Sequence, residues 1–356
     1  MKLSKRSATV LGVSWIAVLP DLWYADLAHA AGAQHGGHHS IPLPSQESLA
    51  AIAHGATQGA ATFLAGLAAF VALVWLPASR AENVEGEKAI GLFCRWIWVL
   101  AGLLIVAGLV EIPVYAVRAS GEALSPGLLV ETLYDTRMGH IWIVRAILGL
   151  LVAFAAAYAA WRRNPAYWWR AASIATVLLM TLTGQSHAAA EGGFLPLAAD
   201  WLHVVAASVW MGGLLGFPIL LIGPLLAMPA DTRAKLLGRT VCRFSKVATG
   251  AVIALLITGL YAALLHVPSL STLTDTAYGN ALIVKMGLLA LLLAAGAVNL
   301  ISRGRGPFGR VVRFELALAI CVFVATGFLT TLPPADAGQQ TAEQNGGPAA
   351  SASRSP

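Results

Sequence analysis

Charge is scarce in this chain of 356 residues: Asp, Glu, Lys and Arg make up 11% of it, against 58% hydrophobic residues and a mean hydropathy of +0.72. Soluble domains carry about a quarter charged residues, so too few are present to cover a water-facing surface, and the chain is expected in the lipid bilayer. Cysteine is nearly absent as well. Cys94, Cys242 and Cys321 are far apart and form no CxxC spacing, which excludes a disulfide framework and a cysteine metal knuckle. A Walker motif, a P-type phosphorylation sequence, HExxH, a nucleophile elbow and paired carboxylates on a helix face are all missing, so neither ATP coupling within the chain nor hydrolysis is expected, and the chain does not read as an enzyme. A net charge of +6 and a pI near 9.4 could suit nucleic acid. The basic residues, however, sit in short loops between apolar segments, where they orient helices, so no nucleic-acid partner is expected.

What is abundant is long apolar sequence. Uninterrupted stretches bounded by Pro, Gly and charge predict spans near 48–77, 91–113, 140–161, 171–187, 197–222, 246–266, 280–302 and 311–332. Each must satisfy its own backbone in lipid, which predicts an all-α, polytopic membrane bundle of eight transmembrane helices. Ahead of them, Lys2, Lys5 and Arg6 precede an apolar run from Ala8 to Leu19 and the A-x-A site Ala28-His29-Ala30. Residues 1–30 therefore read as a signal peptide, with an uncleaved helix as the alternative. Residues 31–47 form a His-rich segment with His35, His38 and His39, and 333–356 is an Ala-, Gly-, Gln-, Ser- and Pro-rich tail with no apolar face to bury. Four loops concentrate the positive charge: Arg80, Lys88 and Arg95; Arg162, Arg163 and Arg170; Arg233, Lys235, Arg239, Arg243 and Lys246; and Arg303, Arg305, Arg310 and Arg313. The positive-inside rule makes those loops cytoplasmic and both mature termini periplasmic.

An internal repeat divides the chain. Asp135-Thr136-Arg137-Met138-Gly139-His140, leading to Ile143-Val144-Arg145, recurs as Asp275-Thr276-Ala277-Tyr278-Gly279-Asn280, leading to Ile283-Val284-Lys285. His54 in span one is likewise matched by His203 in span five. Residues 48–187 and 197–332 are thus expected to be two four-helix repeats, and an even number of spans per unit makes them parallel. Asp135, Asp275 and the following threonines could simply cap helices. Arg145 and Lys285 lie more than a turn inside their spans, where charge is expensive and tends to be functional.

In this topology His54, His140, His187, His203 and His266 all fall at the outer ends of their spans, and no histidine falls in a cytoplasmic loop. Residues three, four or seven apart share a helix face, which aligns Met180, Thr183 and His187 in one stripe, His203 with Ala207 and Trp210, and His54 with Gln58. Gly55, Gly59, Ala206, Ala207, Gly212 and Gly213 would allow neighbouring helices to approach closely. Imidazole with the thioethers of Met138, Met180 and Met211 suits copper as Cu(I) or Cu(II), and the run His35 to His39 would act as an exposed metal lure. Glu111, six residues before a Val117–Arg118 region read as nonhelical, is an intramembrane carboxylate that could bind or relay charge, or neutralise Arg145. Two other functions fit the same residues: a b-type haem held by facing histidines, with Arg145 and Lys285 on its propionates, and a metal- or pH-sensing scaffold without transport.

Asp200-Trp201-Leu202-His203 running into Ser208-Val209-Trp210-Met211-Gly212-Gly213, then Thr276-Ala277-Tyr278-Gly279 with Lys285, and Asn299 ahead of Arg303, resemble the CopD copper-resistance family over spans five to eight. The first half, with His54, is similar to longer members of that family. The resemblance implies an inner-membrane protein associated with copper entry or copper tolerance. It also implies a periplasmic copper-binding partner of the CopC type, for which no β-sandwich is present in this chain. His203 is the best-matched ligand position, His54 its counterpart and His187 the next; His140 is replaced by Asn280 in the repeat.

Overall fold

The computed structural model describes residues 46–84, 86–185, 193–266, 277–302 and 308–331. Residues from Ala50 onward form one compact unit; of the N-terminal unit, Met1–Leu49, only 46–49 are described, as the first turn of a helix. Residues 1–30, His35, His38, His39, His187, Asp275 and the tail 333–356 lie outside the described residues.

Every described element is helical. α1 (Gln46–Phe70) passes through a π-helical turn (Val71–Trp75) into α2 (Leu76–Ala81). Then come α3 (Glu87–Ser120), α4 (Pro126–Asp135), α5 (Arg137–Arg162), α6 (Pro165–Thr183), α7 (Phe194–Ile222), α8 (Ala230–His266), α9 (Ala277–Ser302) and α10 (Phe308–Thr331). Short polar side chains begin three of them: Ser125 accepts from the Leu128 amide, Thr136 from Gly139 and Asn164 from Ala166, with Pro126 and Pro165 occupying the first turns of α4 and α6. The repeated Asp-Thr motif is, in its first copy, a helix cap carried by Thr136, while Asp135 is exposed.

Among the described residues, six segments are long and apolar enough to cross a membrane: Leu49–Ala81, Glu87–Ser120, Arg137–Arg162, Phe194–Ile222, Ala230–Ala262 and Gly279–Val298. The two other expected spans, 171–187 and 311–332, coincide with α6 and α10. α6 opens on Tyr167-Trp168-Trp169-Arg170, which lowers its hydropathy, and the apolar part of α10 is the shorter Phe314–Thr326. Among the described residues, length and composition thus mark six candidate crossings, and α6 and α10 fall short of that measure. Three boundaries also differ from the expectation. Val117 and Arg118 are helical, since α3 continues to Ser120 and stops at Gly121, whose φ of 71° gives the left-handed cap that glycine adopts without strain. An extra helix, α4, fills the loop before α5, and α8 starts sixteen residues ahead of the expected 246 because residues 230–245, though polar, are good helix formers.

α3 packs on α5 and α5 on α6; α6, α8 and α10 pack on α7, and α9 on α10. The main core gathers Phe70, Trp75, Phe93, Trp168 and Phe217, and a smaller one lies around Trp210, Met211 and Leu292. α1 and α7 touch backbone to backbone: a Cβ on Gly66 would lie 2.1 Å from the Ser208 carbonyl oxygen, and one on Gly212 would lie 2.0 Å from the Gly66 carbonyl oxygen. One turn further on, Phe70 stacks edge-on with Phe217 at 5.5 Å, so the two helices run the same way. His54 and His203, twelve and nine residues before this crossing, consequently stand at the same end of the bundle.

Candidate metal-handling site

The first histidine sits in a network that spans four helices. Glu111 of α3 reaches α1, where its Oε1 lies 2.7 Å from His54 Nδ1 and its Oε2 accepts the Thr57 hydroxyl at 2.7 Å. An ionised carboxylate only accepts hydrogen bonds, so Nδ1 carries the imidazole proton and Nε2 keeps its lone pair. Gln58, one turn along α1, places its amide nitrogen 3.0 Å from that Nε2. The charge opposite Glu111 is Arg145 of α5, with NH1 3.9 Å from Oε2. Arg145 is only 1% exposed and is held otherwise by α6: its Nε donates to the Thr181 hydroxyl at 3.0 Å and its NH2 to the Thr181 carbonyl at 2.8 Å and to the Gln185 side chain. Gln185 in turn contacts Met138 Sδ, and Arg137 donates to the Gly184 carbonyl at 3.0 Å. A guanidinium with hydrogen bonds and a counter-charge is what makes a buried cation tolerable in a membrane bundle.

The second histidine repeats the arrangement with different chemistry. His203 Nδ1 lies 2.9 Å from Thr258 Oγ1 on α8. That hydroxyl also lies 2.7 Å from the Ala254 carbonyl, which can only accept, so the hydroxyl proton goes there and Oγ1 accepts from Nδ1–H. Again Nε2 is left with the lone pair. Thr258 stands 55 residues after His203, and Glu111 stands 57 after His54. Asp200, one turn before His203, is the counter-charge of Lys285 on α9, and Lys285 is also within Coulombic reach of His203.

The structure thus joins His54, Glu111 and Arg145 in one half, and His203 and Lys285 in the other. It does not gather every expected ligand. Met180 is 52% exposed although Thr183, about 60° from it around α6, is buried, so Met180 lies at the edge of the buried face and turns outward. His140 is exposed at the start of α5, and Met211 is buried within α7, two turns past His203. His266 ends α8, with a side chain outside the described set. Among the described residues no three His, Cys, Asp or Glu side chains converge as a metal-sized group. Thr57, Thr181, Gln185 and Thr258 escaped the sequence reading, as did Asp200 in the role of counter-charge. The near-equal spacings of 57 and 55 were the signal that could have found Thr258.

Two family models match the chain: "Copper resistance protein D-like, N-terminal domain" over residues 45–197 and "Copper resistance protein D" over residues 238–329. The stretch between them, 198–237, contains His203 and the Ser208–Gly213 motif, while Lys285 falls inside the second match. The copper transport protein CutJ of Bacillus subtilis (strain 168) is 34% identical over 221 residues, which is 60% of this chain and 40% of CutJ. The copper resistance protein D of Pseudomonas syringae pv. tomato is 26% identical over 256 residues, 66% of this chain and 81% of that protein. No solved structure matches. With both halves of the family's architecture matched in order around a paired histidine site, this multi-pass, all-helical chain belongs to the copper resistance protein D family.

Proposed function

We propose that this protein takes up copper at the histidine end of its bundle and passes it across the inner membrane toward the cytoplasm, contributing to copper homeostasis or resistance. The observation that carries this reading is the duplicated imidazole. In each half the neighbouring helix holds Nδ1–H and leaves the Nε2 lone pair available, the arrangement in which histidine ligates a metal; in the first half the holder is a carboxylate, as in carboxylate–histidine–metal sites. Two such nitrogens with Met211 deeper in α7 form stations rather than a closed cage. A conduit needs this, because a cation that must leave again has to be bound weakly or in steps. Gln58 guards the His54 nitrogen and would swing aside for the metal.

The reading includes eight spans in two parallel four-helix repeats, with the histidine end periplasmic and the basic loops cytoplasmic. The His35–His39 run and His187 would serve as entry ligands, and a periplasmic copper-binding protein of the CopC type as donor. Haem is the weaker alternative. Arg145, which would have to meet a propionate, is turned to α6 by its Nε and NH2, which donate to Thr181 and Gln185, and has its remaining NH1 facing the Glu111 carboxylate at 3.9 Å.

The test is metal and absorption analysis of the purified protein alongside the double variant His54→Ala/His203→Ala. Bound or titratable copper without a Soret band is expected, falling to background in the variant while its helical signal is unchanged. Undiminished copper stoichiometry in the variant, or a Soret band with stoichiometric iron, overturns the assignment.

A further inference from the structure

The two halves differ most at the end away from the histidines. In the first half α3 and α5 pack against one another and the buried face of α6 is apolar, with Ala171, Ala175, Leu178 and Leu179. In the second half, among the described residues, α8 and α9 make no comparable pairing. Between them lies a cavity of about 290 Å³, floored by Trp210 and Phe217 of α7 and walled by Ser245 and Thr249 of α8 and Leu293 of α9. One carboxylate lines it: Glu315 of α10, only 3% exposed, beside Gly296 of α9, where a Cβ would be 3.9 Å from Oε1. At about 1.5 Å rise per residue, Trp210 lies about 10 Å and Phe217 about 21 Å beyond His203 along α7. The cavity therefore continues the line that starts at His203 and passes Met211.

A carboxylate is costly inside a bilayer and in such places marks an ion or proton pathway. The corresponding helix of the other half fills its buried face at this depth with Ala and Leu. The glycine beside it leaves room at Oε1 that any other residue on α9 would narrow. The facing wall offers two hydroxyl oxygens, so the ligands among the described lining residues are oxygens, harder than the imidazoles above them.

From this we infer that the Glu315 cavity is a second cation station, which receives the transported metal ion from the His203 side and releases it at the opposite end of the bundle. The inference rests on the proposed transport reading and adds its exit site. Passing from nitrogen donors to a single carboxylate with hydroxyls lowers affinity for copper, which lets the ion leave readily at that end.

The experiment uses the full-length protein in liposomes and a lipid-soluble carbodiimide, which reaches a carboxyl through the gap between α8 and α9 and leaves a mass tag on it. Glu315 should be tagged, and copper chloride with ascorbate should slow the tagging several-fold while magnesium chloride does not. Copper entry into the liposomes should fall about tenfold or more in Glu315→Gln, with copper binding at the histidine end unchanged. Tagging that copper leaves unaffected, or wild-type entry in Glu315→Gln, overturns the inference. Should Glu315→Gln fail to fold, the tagging of the unaltered protein still decides, and Thr249→Val should weaken the copper protection. If the unaltered protein carries no copper at all, it is the transport reading that falls, while protection of Glu315 is scored separately.

Discussion

At Glu111 one carboxylate meets an imidazole, a hydroxyl and a guanidinium from two neighbouring helices. Its charge has two duties: it fixes the proton on His54 Nδ1, and it balances Arg145. Two readouts separate them. Glu111→Gln keeps an oxygen for Nδ1–H but gives up the charge; a lost carboxylate partner of a ligating histidine weakens metal binding about 10- to 100-fold. That loss is expected in a titration against a chromophoric copper chelator. Both Glu111→Gln and Glu111→Ala leave the buried guanidinium of Arg145 without its counter-charge, which costs about 3–5 kcal/mol and should be read as a clear drop in Tm, and Glu111→Ala also removes the acceptor of Nδ1–H. If the Gln variant binds copper like the unaltered protein, Glu111 balances charge only and does not orient His54. In the second half Thr258→Val is the matching change; it removes a neutral hydrogen bond and so is expected to have the smaller effect.

Among the elements, the α1–α7 crossing and the π-helical turn decide how the halves meet. Gly66 and Gly212 face each other with no room for a Cβ on either, a contact by which helices associate in lipid, where no hydrophobic drive exists between them. Gly66→Ala and Gly212→Ala are therefore expected to lower Tm and to disturb the spacing of His54 and His203. Gly250→Ala on α8 meets nothing within 4 Å and should raise stability by about 0.5–1 kcal/mol through the usual gain of alanine over glycine in a helix. Opposite signs in a thermal-shift measurement in detergent would confirm the crossing; equal behaviour of the three variants would refute it. The turn at Val71–Trp75 works at the far end of α1. Its wider winding leaves the Leu73 carbonyl able to accept from Arg243 Nε at 2.6 Å, a tie from α1 to α8. π turns recur at functional sites for this reason: they free backbone groups that an α-helix would consume.

For the whole molecule, the Arg243 tie and the neighbouring ion pair between Arg239 of α8 and Glu82, just past α2, join the first half to the second at the end opposite the histidines. If the proposed transport parts the halves at that end, these contacts have to give way. Arg239 is 53% exposed, and such pairs are worth about 0.2–1 kcal/mol. Reversing one charge with Glu82→Arg should therefore raise copper entry into liposomes by no more than about fivefold, and the double reversal Glu82→Arg/Arg239→Glu should bring the rate back. A single reversal without effect on the rate would show that the pair is a surface ornament of the fold and that the halves part elsewhere.

Legible in the amino acids alone were the solvent this protein lives in, its helical class, the positions of most spans to within a few residues, the repeat of Asp-Thr through Arg145 and Lys285, and the family. All of these depend on composition, on runs of about 20 apolar residues or on local motifs. The sequence also showed that His54, His203, Glu111 and Arg145 deserved notice, because polar groups in lipid are rare enough to count. Only the tertiary structure decided which of them meet. A helix that is apolar nearly all round carries no periodic signal of which face turns inward, so its rotation is set by contacts such as Gly66 against Gly212, and that rotation alone puts Thr258 on His203, sends Met180 outward and brings Glu315 to a cavity. The π turn was invisible for a related reason: it is held by a partner on a distant helix, and nothing in Val71–Trp75 differs from ordinary apolar sequence.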